Sequence, residues 1–234
     1  MSWRPQPDGD GLSWGSPAPS ARLVRAQGGW RYQREGEEPS PLLPANAHEL
    51  AGWQLQPGDS AVVARLDPQV LLLPGARIEL WLGLPMALIL TLGPGGPVID
   101  TVRPTFRRTL LGAVDRGLLL PSASARLLDG PEDPSLPETF YAARVLAYNG
   151  RSEPAVLRRL PVFEPALTLW RAGDRVAAGD VSVTLDDEHS AEARVDIAAA
   201  PPGFTQVSEH AARPAGRSLS WLHDAARHRV EFQA

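Results

Sequence analysis

Proline and glycine recur through this sequence too often for a long helix to fit between them. Proline lacks a backbone donor and clashes with the preceding turn, and glycine costs about 1 kcal/mol in a helix interior. Between these breakers, apolar residues alternate with polar ones, the period of a strand with one face on a core. Arg77 to Leu84 shows it best: Ile78, Leu80, Leu82 and Leu84 alternate with Arg77, Glu79 and Trp81. Pro85 ends that strand. Met86 to Leu92 is apolar on both faces, as a strand in the interior of a sandwich must be.

Further strands are predicted along the chain. Ala21 to Ala26 and Trp30 to Arg34 flank Gly28-Gly29, a two-residue turn that predicts a hairpin. Pro97 to Val102, Arg107 to Leu111, Gly117 to Leu120 and Ala123 to Leu127 follow, then Phe140 to Tyr148, Ala155 to Leu160 and Leu167 to Trp170. Val181, Val183 and Leu185 alternate with Ser182 and Thr184, and the return strand carries Ala193, Val195 and Ile197, a second hairpin. Residues 1–20 read as an irregular Pro/Gly-rich segment, and 35–59 as loop with one helical turn from His48 to Trp53. Ser218 to Arg229 places Leu219, Leu222 and Ala226 on one helical face. The expected fold is all-β, an antiparallel β-sandwich or jelly-roll-like architecture with a short C-terminal helix. Its expected segments are a β-sandwich over 21–128, a second sandwich or a continuation of the first over 139–205 after the loop 129–138, and a tail over 206–234.

Composition excludes several chemistries. All 23 basic residues are Arg, so no lysine serves a P-loop, a Schiff base or a kinase strand. There is no Cys for a disulfide, thiolate metal site or thiol nucleophile. A net charge of -4 argues against binding nucleic acid through a broad basic surface. Met1 to Pro5 lacks an apolar core of signal-peptide length, and the apolar stretch 78–92 falls short of the ~20 residues of a spanning helix. The expectation is a soluble, cytoplasmic protein without membrane insertion.

Few motifs point to a reaction. Gly11-Leu12-Ser13-Trp14-Gly15 matches the letters of a nucleophile elbow, but prolines flank it where a buried strand and a helix belong. Asp186-Asp187-Glu188-His189 offers metal-ligand chemistry, yet adjacent residues of a strand point apart and the cluster reads better as a solvated hairpin tip. The five histidines form no ligand spacing. No cofactor is expected. Arg103, Arg107 and Arg108 are candidates for an anion clamp, because guanidinium forks bind carboxylates bidentately. Trp30, Trp81 and Trp170 are candidates for an aromatic binding face if all three face outward on one sheet, although each taken singly reads better as core or sheet packing.

The order of these features resembles the domain of unknown function 432 family. The resemblance is carried by Trp14, Arg25 and Gly29-Trp30-Arg31, and most strongly by the run from Leu72 through Pro74-Gly75-Ala76-Arg77-Ile78-Glu79-Leu80-Trp81-Leu82-Gly83-Leu84-Pro85. Arg107 to Gly112, Val145 to Pro154 and Leu157 to Val162 extend it over most of residues 14 to 198. The sequence differs from the family pattern in its Pro-rich N-terminal segment and in the leucines after Gly117. The resemblance implies a β-rich bacterial or archaeal protein, encoded beside or fused to small-conductance mechanosensitive channels, and carries over no catalytic residue. It suggests a non-enzymatic accessory or regulatory protein whose partner is such a channel. The alternative is a small-ligand module in which Trp81 or Trp170 stacks on a sugar or organic anion and Arg103, Arg107 or Arg108 holds its charge. An enzyme, the third reading, would need Asp100, Asp115 or the 186–189 cluster to meet a histidine across the fold.

Overall fold

The computed structural model describes residues 2–9, 11–14, 19–38, 40, 42–56, 61–111, 118–164, 167–185, 190–195, 199–207 and 229–231. The fold is all-β and sandwich-like, as the alternating pattern predicts. The chain forms two compact units, one of Met1–Gln56 with Met86–Pro104, the other of Pro57–Pro85 with Thr105–Ala234. The loop 129–138 is therefore not a boundary between sandwiches. Strands on either side of it lie in one sheet, which overrides its Pro/Gly composition.

The first unit is built from two sheets. One runs β1 (Ser2–Trp3), β7 (Ala51–Gln56), β10 (Ala87–Leu92), β11 (Val98–Val102), and the other β2 (Gln6–Asp8), β3 (Gly11–Ser13), β4 (Ala21–Ala26), β5 (Gly29–Arg34), β6 (Leu42–Leu43). Residues 1–20 are thus not irregular throughout: among the described residues three short strands sit there, β1 paired with the longer β7, β3 with the longer β4, and β2 with β3. The helical turn expected from His48 to Trp53 is confined to α1 (Ala47–Leu50), and Ala51 already begins β7. Trp14, Leu23, Tyr32 and Leu43 from one sheet meet Trp53, Leu88 and Leu90 from the other in a common core. Trp14 stands edge-on to Tyr32 and Trp53 with ring centroids 6.2 and 6.3 Å away. This offset geometry is the favoured one for aromatic quadrupoles. The hydroxyl of Tyr32 donates to Oδ2 of Asp100 at 2.6 Å and ties β5 to β11 across the core.

The hairpin β4–β5 turns at Gln27-Gly28, with Ala26 opposite Gly29, one residue earlier than its Gly-Gly pair suggests. Gly28 supplies the positive φ of 86°. Gly29 is needed for a different reason: a Cβ there would meet the carbonyl oxygen of Leu43 at 2.0 Å, where β6 crosses close to β5.

The second unit holds one mixed sheet. Its order is β15 (Ala155–Phe163), β8 (Ala61–Leu72), β13 (Leu118–Leu128), β9 (Arg77–Pro85), β14 (Phe140–Asn149), β17 (Arg175–Leu185), β16 (Thr168–Ala172), β19 (Thr205–Gln206). Off that path, β12 (Arg107–Leu111) pairs with β13, β18 (Ser190–Val195) pairs with β17, and β20 (Arg229–Glu231) pairs with β18. The sheet is not purely antiparallel: β8 with β13 and β14 with β17 are parallel pairs, brought together by long connections that local periodicity does not reveal. The strands expected at 117–120 and 123–127 are one strand, β13. It continues through Pro121, which falls just before the first residue paired with β8, so the missing N–H costs no bond to that neighbour.

Two strands change partners along one edge. β13 pairs with β12 through 118–122 and with β9 through 126–128, while β17 pairs with β16 through 175–179 and with β18 through 181–185. Asp180 occupies the switch point of β17. The β17–β18 hairpin keeps the register that its alternation predicts, with Val181 opposite Val195 and Val183 opposite Ala193. The C-terminal helix expected from Ser218 lies outside the described residues, except that Arg229 belongs to β20.

Gly29→Ala should lower the stability of the first unit by at least about 2 kcal/mol, because backbone must move to admit the methyl group. Gly36→Ala, with φ at 80° and nothing within 4 Å of the added carbon, should cost only about 1 kcal/mol. Urea denaturation of the two variants checks the order.

Candidate functional site

Trp81 and Trp170 pack in the core, as each reads singly, and form no aromatic platform on the surface. Trp81 is 8% and Trp170 1% exposed, and both belong to one core cluster with Leu128, Leu136, Ala142, Ala177 and Phe204. For Trp81 the physical cause is the position of β9, which lies between β13 and β14 in the sheet interior, where both faces are covered from Trp81 to Leu84. The alternation of Ile78, Leu80 and Leu82 therefore describes only the first half of the strand. Trp30 alone of the three is half-exposed, and it lies in the other unit.

Trp81 has a full set of partners. Its indole N–H donates to Oε1 of Glu79 at 3.0 Å, and the guanidinium of Arg144, its cross-strand neighbour, lies 5.6 Å from its ring centroid. Arg144 in turn grips Asp180 with two nitrogens, Nε to Oδ1 and Nη2 to Oδ2, the latter at 3.0 Å. The register of β14 with β17 shifts between Ala143 and Val145, so Arg144 is the irregular residue facing the switch point. Tyr141 and Glu164 form a second polar pair inside this unit, the phenol donating to Oε1 at 2.8 Å. These groups hold the sheet together.

The candidate arginines do not form a clamp on one element. Arg103 follows β11 in the first unit, whereas Arg107 and Arg108 open β12 in the second. All three are exposed. Arg107 and Arg108 are adjacent in a strand and point to opposite faces.

The nucleophile-elbow letters are not a nucleophile elbow. Ser13 ends β3, an antiparallel strand between β2 and β4, whereas an elbow serine stands on a sharp turn from strand into helix. Asp115 and the Asp186–His189 cluster lie outside the described residues. Among the described residues no group of three His, Asp or Glu side chains gathers as for a metal ion, and no helix is long and apolar enough to cross a membrane.

Two surface features emerge that residue patterns alone conceal. In the first unit Trp30 is flanked by His48, with ring centroids 5.1 Å apart, and by Arg25 at 5.8 Å, and its indole N–H donates to the carbonyl of Ala45 at 2.9 Å. In the second unit Leu71 and Val156 stand directly opposite each other across β8 and β15, 62% and 46% exposed. Leu73, two residues on, is 59% exposed. The neighbouring pair Ala155 and Leu72 points inward and is buried. The exposed pair is thus an outer-face feature of a strand whose alternate residues fill the core. In the sequence it is hidden by Val70-Leu71-Leu72-Leu73, an unbroken apolar run that does not say which residues face out. β15 ends the strand order; its pairing with β8 shifts register between Leu157 and Arg159, where β8 holds the surplus residues, and it carries Pro161, whose missing N–H blunts strand-on-strand aggregation.

No family model, curated protein or solved structure matches the chain.

Replacing Trp170 by Ala should destabilise the second unit by about 3–5 kcal/mol, a loss read by chemical unfolding. The buried tyrosines add a pH dependence. Burial, and then the hydrogen bond to Asp100, push the ionisation of Tyr32 to higher pH, while burial and the charge of Glu164 do the same for Tyr141. The neutral phenols are therefore favoured in the folded state. Their contribution is complete below the ordinary tyrosine value of 10.0 and is lost as pH rises above it. Stability should fall above about pH 10, and Tyr32→Phe should make the fall shallower, as followed by tyrosinate absorbance and urea midpoints across that range.

Proposed function

We propose that the protein is a non-enzymatic, cytoplasmic accessory or regulatory protein that works by binding another protein. One observation supports this reading most: the cross-strand pair Leu71 and Val156, with Leu73, leaves large apolar side chains uncovered on one face of the second unit. Burying each such side chain contributes about 1.5–3 kcal/mol, enough for a few residues to dominate an interface. Arg158 and Arg159 lie exposed beside them on β15 and suit a partner with acidic residues at its rim. The resemblance to the family associated with small-conductance mechanosensitive channels names the partner class: the cytoplasmic part of such a channel. The ligand-module alternative has lost its platform, since neither Trp81 nor Trp170 is open to stack on a sugar.

The test uses the full chain as bait on detergent-solubilised membranes containing a small-conductance mechanosensitive channel. Wild-type protein should retain the channel, and Leu71→Asp with Val156→Arg should lose it while keeping the wild-type unfolding midpoint, because both side chains point outward and the new cross-strand charges are opposite. Recovery of no channel by the wild type would remove the channel as partner. Equal recovery by the variant would remove the Leu71/Val156 face.

A further inference from the structure

Asn149 ends β14 and is completely buried, while Gly150 beside it is exposed. Every hydrogen-bonding group of this asparagine is engaged. Its backbone N–H donates to Ala76 at 3.0 Å and its carbonyl accepts from Gly75 at 2.8 Å. The side-chain Nδ2 donates to the carbonyls of Leu72 and Glu153, each at 2.9 Å, and Oδ1 accepts from the N–H of Arg151 at 3.1 Å. The N–H of Gly150 donates to the carbonyl of Leu185 at 2.9 Å. The Asn149 side chain thus knots the end of β8 to the turn after β14, its backbone holds the turn at Gly75-Ala76, and the Gly150 N–H adds the end of β17.

The same dipeptide has a reactive side. Glycine has no Cβ to shield its backbone nitrogen, so Asn-Gly is the sequence in which that nitrogen most readily reaches the asparagine Cγ. In the folded knot the reaction is obstructed twice. The Gly150 N–H is committed to Leu185, and the departing Nδ2 is held by two carbonyls in a buried site, where losing hydrogen bonds is costly. We propose that Asn149 is a deamidation site gated by the fold, protected while the knot is closed and converted when the turn at 149–153 opens. The Gly150 nitrogen loses its proton and bonds to Cγ, the Cγ–Nδ2 bond breaks, and Nδ2 leaves as ammonia. Water then adds across either carbonyl–nitrogen bond of the cyclic imide and yields aspartate or isoaspartate. The knot does not re-form around either product. Aspartate would set a carboxylate oxygen against the carbonyls of Leu72 and Glu153, acceptor against acceptor with no donor between them. Isoaspartate adds a backbone atom to the register of β14 with β17. Deamidation therefore marks, irreversibly, a chain whose second unit has opened.

The experiment incubates the full chain at mildly alkaline pH in buffer and in urea, and follows the tryptic peptide Val145 to Arg151 by mass spectrometry for the amide-to-acid mass gain. Conversion should proceed in urea and be at least about tenfold slower in buffer, the ratio reflecting the population of the open turn. Equal rates in the two conditions, or no conversion in urea, would overturn the proposal. Asn149→Asp provides the second arm. A lowered unfolding midpoint or failure to fold is expected, and a wild-type midpoint would show that the product is compatible with the closed knot and overturn the irreversible step.

Discussion

The second unit depends on one ion pair at the place where its sheet divides. β17 has β14 along one edge for most of its length, but on the other edge it gives its first half to β16 and its second half to β18. A strand can serve two partners in this way only if something fixes the residue between them. That residue is Asp180, gripped by both ends of the Arg144 guanidinium at the irregularity in β14. A bidentate pair fixes direction as well as distance. Because Asp180 is largely buried, removing its partner would leave a charge without compensation, which commonly costs about 3–5 kcal/mol. Arg144 also lies on the face of Trp81, so the ion pair and the aromatic core of this unit are one connected structure.

The first unit solves a different problem, joining two separate small sheets. Aromatic edges do most of it: Trp14, Tyr32 and Trp53 meet pairwise at about 6 Å, each in a T-shaped arrangement. Tyr32 reaches further, through its hydroxyl, to Asp100 on the opposite sheet, where Arg34 stands 3.0 Å from the same carboxylate oxygen. The polar tip of one core residue thus satisfies a carboxylate that would otherwise be expensive to bury. Strands as short as β1 and β3 persist because they are attached to this core and not because their sequence favours extension.

Much of the strand pattern was legible because it is local. The hairpins β4–β5 and β17–β18 each follow from strand-like runs of six to eleven residues bounded by turn-forming positions. Partner choice was not legible. Nothing in Ser122 to Arg126 says that it runs parallel to Val63 to Asp67, since the signal is spread across a separation in which β9 and β12 intervene. The same gap accounts for Trp81 and Trp170. Alternation assigns a residue to a face, but only the arrangement of the whole sheet tells whether that face meets water. The apolar run from Val70 to Leu73 fails in the opposite sense: its residues look like core, and half of them are exposed. The arginines at 103, 107 and 108 are close in sequence, yet the chain passes from one unit to the other between Pro104 and Thr105.

The most direct measurement is hydrogen–deuterium exchange on Arg144→Met beside the wild type. If the ion pair holds the division of β17, amide protection should fall together in both branches, Thr168–Ala172 and Ser190–Val195. Protection in Ala21–Ala26 and Ala51–Gln56 of the first unit should stay at its wild-type level. Unchanged protection in both branches would contradict the central role given to Arg144 and Asp180.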